Sequence, residues 1–159
     1  MLLIISVVLA LAVPRFRDQS HAELIAQTRK LAATFRFLQQ EAILDGRVYR
    51  LSVDLDQQRY FVSAAEVGGE GGVAAPVSGI LARDVVLPST VQIADLDVPH
   101  LGGKAYEGVG FAQFYPDGYV DSIAIHLDNG QEAYTLYVPN GLTGRAYVAS
   151  GYVDLGTRG

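Results

Sequence analysis

Three histidines are the residues in this sequence whose type best suits acid–base chemistry. His21 lies in a polar stretch, His100 lies in a predicted loop, and His126 alternates with apolar residues within a predicted strand over 119–127. The sequence contains no HExxH, GxSxG, SxxK or phosphate-loop pattern, so motifs with a defined catalytic mechanism are absent. We therefore predict that all three histidines are structural or surface residues, that there are no catalytic residues, and that the protein is not an enzyme.

Paired acidic residues invite a calcium hypothesis, because hard cations prefer clustered oxygen ligands. The pairs are Asp54 with Asp56, Asp95 with Asp97, and Asp117 with Asp121. Their spacing matches no EF-hand loop, and Asp is also common in turns, where it hydrogen-bonds the local backbone. The chain has no Cys, which excludes disulfides and thiolate zinc or iron–sulfur sites. We predict no metal site and no cofactor.

Charge and composition restrict the class of protein. Half of the 159 residues are hydrophobic and 18% are charged, so the chain can build a core and is not intrinsically disordered. Residues 1–49 carry six basic and four acidic side chains, whereas residues 50–159 carry six basic and thirteen acidic ones, a net charge of −7. Such an acidic majority makes nucleic acid an unlikely partner.

The first thirteen residues, MLLIISVVLALAV, contain Ser6 as their one polar side chain. As a helix this segment is roughly 20 Å long, against the ~30 Å and ~20 residues needed to cross a bilayer. One interpretation is a signal-peptide core with Ala10–Ala12 as its cleavage site, although the basic residues that precede such a core are absent. The other is a transmembrane helix that lacks its first ~7 residues. Pro14 either opens a new helix or kinks a continuous one.

A long amphipathic helix follows. Residues 15–45 contain neither Gly nor Pro, and apolar positions recur every three or four residues, as on one face of a helix. Gly46 is predicted to end the helix at C′. The stripe consists of Leu24, Thr28, Leu31, Phe35, Leu38 and Ala42. We predict that Leu24, Leu31, Phe35, Leu38 and Ala42 form the helix-to-sheet core, because three heptads are few for a coiled coil.

Beyond Gly46 the apolar period changes to two, which predicts β-structure. Residues 49–64 form a hairpin pattern, and the Gly-rich stretch 64–79 is predicted to be a flexible loop, most mobile over 66–79. Further strands are predicted over 85–87, 91–96, 109–115, 119–127, 134–138 and 145–153. Hairpin turns are predicted at 116–118, 128–130 and 140–141, where Asn and Gly accept positive φ. The fold is predicted to be α+β, with one long N-terminal helix packed on antiparallel sheet.

These elements divide the chain into three predicted parts. Residues 1–13 are a hydrophobic membrane or filament segment, residues 14–46 a helical stalk that continues into the head, and residues 47–159 a β-rich globular head. The apolar stripe makes about 33 Å of helix, which matches the roughly 34 Å width of a 110-residue globule.

Several segments together resemble the GspH/FimT family of pseudopilins and minor pilins. They are ALAVPRF after the hydrophobic run, QEAILDGR at the end of the amphipathic helix, and the strand pair VYRLSVDLDQQRYFV. FYPDG and NGLTGRAYV resemble that family's C-terminal hairpins. The resemblance covers nearly the whole chain in the right order, and it is most specific over 40–62.

The family normally begins with a basic leader, a Gly-Phe cleavage site and a nearby glutamate, none of which this sequence shows. Aligning Pro14 with the family's helix proline places Met1 about eight residues inside the mature chain, in agreement with the ~7 residues that a span lacks. We therefore expect a truncated or misassigned start.

The resemblance implies a structural role as a minor pseudopilin of a type II secretion system. Such a subunit spans the inner membrane once with its head in the periplasm, then joins a pseudopilus that acts in exporting folded proteins across the outer membrane. Its implied partners are other pseudopilins or minor pilins, bound through helix and head, with the secreted substrate or the secretin as further partners. Methylation of the processed N-terminus is also implied. The implied membrane and filament residues are Leu2, Leu3, Ile4, Ile5, Val7, Val8, Leu9, Leu11, Val13 and Pro14.

Two other functions stay open. The first is a minor type IV pilin for twitching, adhesion or DNA uptake, although the last 20 residues offer few cations for DNA, Arg145 and Arg158 beside Asp154. The second is a secreted soluble enzyme or binding domain behind a cleaved signal peptide, which predicts a helix that begins at Pro14.

Overall fold

The computed structural model of the chain describes residues 2–65, 75–76, 79 and 84–156, with side chains for residues 19–64, 79 and 84–156. It begins with one helix, α1 (Leu2–Asp45), which continues through Pro14 without interruption. The helix onset at Pro14 that the signal-peptide alternative predicts is therefore not present. Gly46 adopts a φ of +63° directly after the helix, a left-handed conformation that Gly accepts without a steric penalty. The predicted helix end is confirmed.

Within the described residues ten strands follow α1, and together with it they confirm the predicted α+β fold. In chain order they are β1 (Val48–Asp54), β2 (Arg59–Ala65), β3 (Ala75–Pro76), β4 (Val85–Val86), β5 (Gln92–Val98), β6 (Gly103–Ala105), β7 (Val109–Phe114), β8 (Ile123–Asp128), β9 (Ala133–Val138) and β10 (Tyr147–Ser150). A single 3-10 turn, Pro99–Leu101, lies between β5 and β6.

The strands form two antiparallel sheets. In the first, β1 lies between β2 and β7, and the other edge of β2 pairs with both β3 and β4. In the second, the order is β10-β9-β8-β5-β6. Gln58, in the β1–β2 turn, connects the two sheets: its Nε2 donates to the carbonyl of Ile93 (3.1 Å), and the Ile93 amide donates to its Oε1 (2.6 Å). The side-chain amide of Gln58 thus makes the two backbone hydrogen bonds with Ile93 that a neighbouring strand would make.

The buried face of α1 packs on both sheets. Leu24, Leu31, Phe35, Leu38 and Ala42 are all buried, together with Thr28, whose hydroxyl donates to the carbonyl of Leu24 (2.8 Å). Phe35 is 2% exposed and meets Phe114 of β7 edge to face, with ring centroids 5.2 Å apart. From the second sheet, the inward residues of β8, Ile123, Ile125 and Leu127, join the same core.

Four segments differ from the sequence predictions. The strand predicted over 119–127 begins at Ile123, because residues 119–121 return hydrogen bonds to β7 and its end: Tyr115 N donates to Tyr119 O and Asp121 N to Gln113 O. The strand predicted over 145–153 is confined to β10, because the chain turns at Gly151 (φ +85°) and crosses the outer side of the second sheet. The short strands β3 and β6 were not predicted.

Two of the three predicted hairpin turns have the expected left-handed glycine, Gly118 (φ +87°) and Gly130 (φ +83°). In the third, the positive φ belongs to Gly144 (+58°) and not to Gly141. Of the Gly-rich loop predicted over 64–79, Ala75–Pro76 pairs with β2 as β3, and residues 66–74, on which the predicted mobility rests, lie outside the described residues.

Candidate functional site

The candidate functional site is the side of α1 that faces away from both sheets. Its residues follow one another at steps of three and four, offset by two positions from the buried stripe, so they lie on the opposite side of the helix. We call this surface the outward face; every member is exposed, and it consists of Ala22, Ala26, Arg29, Lys30, Ala33, Arg36, Phe37, Gln40 and Leu44. Arg47, directly beyond the helix end, is exposed as well.

The outward face contains more apolar residues than is usual for the water-exposed side of a surface helix. Leu44 is 77% exposed and Phe37 is 39% exposed, and three alanines separate the charged positions. A surface helix normally has polar and charged residues opposite its buried stripe. Small residues allow close approach of another backbone, and exposed large apolar side chains grouped together indicate a contact surface.

The charges on the outward face are all positive. Arg29, Lys30, Arg36 and Arg47 form no ion pair with any carboxylate among the described residues. This leaves four unpaired cations along the exposed side of the helix.

Three acidic residues of α1 have described side chains, Glu23, Glu41 and Asp45, and two of them accept side-chain hydrogen bonds. Glu23 accepts from Gln27 Nε2 (2.8 Å), and Asp45 accepts from the Tyr49 hydroxyl (2.5 Å). The hydrogen bond to Asp45, with burial, raises the pKa of Tyr49 to about 12, because both effects favour the neutral phenol. The carboxylate of Asp45 is thus held against β1.

Contacts at both ends of the part of α1 that packs on the head, residues 20–45, fix how its outward face is presented. Near its start, Asn129 Nδ2 donates to Ser20 Oγ (3.4 Å), and His21 contacts the carboxylate of Glu132. Near its end, Gln39 Nε2 donates to the carbonyl of Gly118 (3.0 Å). The helix is therefore tied to the β8–β9 turn at one end and to the β7–β8 connection at the other.

The first part of α1 contains the residues for which a membrane or filament role is implied, Leu2, Leu3, Ile4, Ile5, Val7, Val8, Leu9, Leu11, Val13 and Pro14. Their backbone is helical and continuous with the rest of α1, and their side chains lie outside the described residues. No helix among the described residues combines the length and hydropathy required for a membrane crossing.

His126 is the centre of a second polar cluster, on the outer side of the second sheet. It is 1% exposed; its Nδ1 lies 2.7 Å from Asp95 Oδ1 and its Nε2 lies 2.9 Å from the carbonyl of Val153. Tyr152 stacks on the imidazole and donates its hydroxyl to the other oxygen of Asp95. Since both ring nitrogens are occupied by protein acceptors, the cluster offers no free base or nucleophile to a substrate.

The other predicted chemical groups have structural contacts. His21 pairs with Glu132, and the ring of exposed His100 lies 5.1 Å from that of Phe111. Asp54 Oδ1 accepts from the amides of residues 56 and 57, and Asp117 Oδ1 accepts from the Tyr119 amide, as turn aspartates do. Within the described ranges, no three His, Asp or Glu residues are grouped as metal ligands would be.

A hollow of about 510 Å³ lies between the β7–β8 and β9–β10 connections and Leu155. Its walls include Tyr119, Ser122, Asn140 and Leu142, and none of its lining side chains is an acid, a histidine or a lysine. The lining thus places no acid, histidine or lysine beside the Ser122 or Tyr119 hydroxyl to act as its base.

The outward face was not identified from the sequence, although a signal for it exists. The stripe that begins at Leu24 is the stronger apolar repeat, but a second one occurs at similar spacing on the other side of the helix, at Ala22, Ala26, Ala33, Phe37 and Leu44. A second apolar repeat, displaced by half a turn, marks a helix with contacts on two sides. Burial distinguishes the two faces: the stripe that begins at Leu24 is buried in the head, whereas the second repeat is exposed.

Solved structures share this fold. The minor pseudopilin EpsH from the type II secretion system of Vibrio cholerae aligns with 84% of this chain and 98% of its own, at 18% identity and a TM-score of 0.64. A second EpsH structure gives 17% identity and a TM-score of 0.61 over 80% of this chain and 97% of its own.

The type IV minor pilin FimU of Pseudomonas aeruginosa aligns with 81% of this chain and 90% of its own, at 14% identity and a TM-score of 0.54. No family model and no curated protein sequence matches the chain. The chain thus has the fold of minor pseudopilins and minor type IV pilins, which confirms the resemblance as one of fold.

Proposed function

We propose that this protein is a minor pseudopilin, a structural subunit of a type II secretion pseudopilus that acts in the export of folded proteins across the outer membrane. The fold it shares with EpsH over nearly the whole of that chain supports this assignment. Catalysis is not part of the proposed role, in keeping with His126, whose two ring nitrogens are both engaged by the protein itself.

The observation that carries the proposal is the two-sided helix. One side of α1 is buried in the head, with Leu24, Phe35 and Leu38 against the sheets, while the outward face is exposed and rich in alanine. A helix that served the head alone would gain nothing from Phe37 and Leu44 on its water side. A helix that packs against the helices of neighbouring subunits needs small and apolar residues there.

We further propose the division into a membrane and filament segment (1–13), a helical stalk (14–46) and a periplasmic head (47–159). In this arrangement the apolar segment lies in the inner membrane before assembly and packs among other pilin-like helices afterwards. The 44-residue continuity of α1 supports a rigid connection between the two parts. Other pseudopilins or minor pilins are the proposed partners, with the secreted substrate or the secretin as further ones.

Cysteine cross-linking tests this function, because the chain has no native Cys. Full-length protein carrying Ala33→Cys, expressed in its host cell with the secretion machinery intact, is expected to form disulfides or bismaleimide adducts with other pilin-like subunits, identified by mass spectrometry. Thr90→Cys, at an exposed turn residue before β5, is the matched control and should give few such adducts. Equal labelling of both positions without any pilin-like partner would contradict the proposal.

A minor type IV pilin is the second candidate, because FimU shares the fold. Deletion of the gene separates the two functions. Loss of exoprotein secretion with normal twitching is expected for the pseudopilin, and loss of twitching or adhesion with normal secretion would support the pilin.

A further inference from the structure

The side of the first sheet that points away from α1 has polar and aromatic side chains in adjacent rows. Paired residues of neighbouring strands lie on the same side of a sheet, so the strand register places Arg50 between Ser63 and Gln113. Alternate residues of β1, such as Leu51, belong to the core. We call this side of the sheet the Arg50 surface; it consists of Arg50, Ser52, Asp54, Arg59, Phe61, Ser63, Val109, Phe111 and Gln113.

Two arginines of the Arg50 surface lie over aromatic rings, and they differ in their ion pairs. Arg59 pairs with Asp84 and, at 3.6 Å, with Asp54. The guanidinium of Arg50 lies 4.2 Å from the centre of the Phe111 ring, and Arg50 forms no ion pair with any residue that the structure describes. Stacking restricts a planar guanidinium to few orientations, so little entropy is lost when its N–H groups bind an acceptor.

Three polar atoms of the Arg50 surface are buried without a hydrogen-bond partner among the described residues. They are Nε of Arg50, Nε of Arg59 and Oγ of Ser63, and Ser63 as a whole is 7% exposed. Nε of Arg59 faces Asp54 Oδ2 at 3.6 Å. Arg50 and Ser63, which are opposite each other on β1 and β2, thus keep two polar atoms that a ligand can satisfy.

The acids around Arg50 are bonded to other groups. Asp54 accepts from two amides of its own turn and faces Arg59, and Asp121 Oδ2 accepts from the Gln113 amide (2.9 Å). Their negative charge disfavours a polyanion such as DNA, whose binding relies on several cations. A single carboxylate needs one guanidinium, whose planar fork matches its two oxygens.

We propose that the Arg50 surface binds an acidic segment of another protein, through one carboxylate that pairs with the Arg50 guanidinium and accepts from Ser63 Oγ. Phe61 and Phe111, both partly exposed, lie opposite Ser52, which is two residues or roughly 6.8 Å from Arg50 along β1. An extended segment has the same repeat, so an apolar side chain two residues from the carboxylate reaches these rings. The contact lies apart from α1 and is additional to those of the proposed function.

A nuclear magnetic resonance titration of the full-length protein in nonionic detergent tests the proposal. The probe is the peptide acetyl-Leu-Thr-Glu-Thr-Leu-amide, in which Glu is the one charged group and a leucine lies two positions away on each side. The Arg50 Nε–Hε signal and the Ser63 amide signal are expected to shift and to saturate. The same peptide with Gln in place of Glu should bind at least about tenfold more weakly, because it loses the charge-assisted hydrogen bonds.

Conservative variants show which groups bind the peptide, with the Ser63 amide or its neighbours as the reporter. Arg50→Lys keeps the charge but removes the planar guanidinium, and it should weaken binding about fivefold. Ser63→Ala should weaken it about threefold. Arg59→Lys is the matched control, because Arg59 also lies over a ring but is already paired; it should change the affinity by less than about twofold.

Several results would overturn the proposal. They are the absence of a shift, equal binding of the Glu and Gln peptides, and equal losses in Arg50→Lys and Arg59→Lys. Tighter binding of inorganic phosphate at the same signals would assign a phosphate ligand instead. Glu66 and Glu70 follow β2 in the chain; if Glu66→Gln or Glu70→Gln moves the Arg50 Nε–Hε signal of the free protein, the chain itself supplies the carboxylate and the proposal fails.

Discussion

The imidazole of His126 and the phenol ring of Tyr152 stack face to face, with centroids 3.6 Å apart and planes 4° from parallel. Both side chains contact Asp95, His126 through Nδ1 and Tyr152 through its hydroxyl. Nε2 also faces the carbonyl of Val153, so both ring nitrogens lie against oxygen atoms of the protein. The contacts fasten the segment after β10, which we call the C-terminal strap (residues 151–156), to the outer side of the second sheet.

Tyr152→Ala is expected to release the C-terminal strap without unfolding the head. The strap has other contacts, since Val153 N donates to Thr135 Oγ1 (3.0 Å) and Lys104 pairs with Asp154 (2.6 Å), but the variant loses both the stack on His126 and the hydrogen bond to Asp95. Hydrogen exchange followed by mass spectrometry should show faster exchange of the strap amides, with β8 still protected. Tyr147→Ala, which removes a stacked ring outside the strap, is the control and should leave strap exchange unchanged. Unaltered exchange in Tyr152→Ala would contradict this account of the cluster.

Phe35→Ala should cost about 3 to 5 kcal/mol of unfolding free energy, as truncation of a large buried aromatic does. Phe35 is buried and packs on Phe114, so the variant loses both the apolar transfer energy and the edge-to-face contact. Urea unfolding of the full-length protein in nonionic detergent, followed by circular dichroism, measures it. Phe37→Ala, on the outward face, should change stability by less than about 0.5 kcal/mol. A cost below about 1 kcal/mol for Phe35→Ala would show that this side of α1 does not hold the core.

Gly144→Ala is expected to disturb the attachment of α1 near its end. A Cβ at this position would lie 2.1 Å from Gln39 Nε2 and 2.5 Å from the carbonyl oxygen of Gly118, so backbone must move, at a cost of about 1 to 3 kcal/mol. Gly46→Ala is a matched control, because its φ of +63° is similar and its Cβ would meet no atom within 4 Å. It should cost about 1 kcal/mol, the strain of a left-handed alanine. Equal losses for the two variants would argue against a steric role for Gly144.

Tyr49 is expected to ionise at a pKa of about 12, above the ordinary value of about 10 for tyrosine. Because the folded chain binds this proton more tightly than the unfolded chain does, the stabilisation is complete below about pH 10 and is lost as the pH rises from about 10 to 12. Ultraviolet titration at 295 nm follows the ionisation. Asp45→Asn removes the acceptor charge and should lower this pKa, whereas Glu41→Gln, one turn earlier, should lower it much less. No change in the Asp45→Asn titration would exclude the hydrogen bond as the cause.

Leu9→Asp is expected to abolish anchoring in the inner membrane. A charged side chain at the centre of a spanning helix costs about 2.5 to 3.5 kcal/mol on insertion scales. Membrane fractionation of host cells and assay of exoprotein secretion measure the effect, with Leu9→Ala as a control that keeps the segment apolar. Membrane association and secretion that both persist in Leu9→Asp would count against the pseudopilin proposal.

Periodicity in the sequence predicted α1, Gly46 as its end and the β1–β2 hairpin, because each is fixed by contacts between residues close in the chain. The division into two sheets was not predictable in this way. It depends on which strands pair across long stretches of chain, such as β1 with β7 and β5 with β8. The same holds for the C-terminal strap: periodicity placed Tyr152 in a strand, whereas Asp95 and His126 draw the chain across the sheet. The outward face could be recognised only in the structure. A repeat of alanines indicates a contact surface only when these residues are known to be exposed.

The orientation of α1 also determines how the head responds to tension. Leu24 to Ala42 contact the sheets along about 27 Å of one helix axis, and a pull on the N-terminal end of α1 acts along that axis. All of these contacts are then loaded together in shear. A sideways force would instead peel them apart one at a time, starting with Ser20 and His21 at the β8–β9 turn. The head is thus mechanically strongest in the direction in which a helical stalk would pull on it.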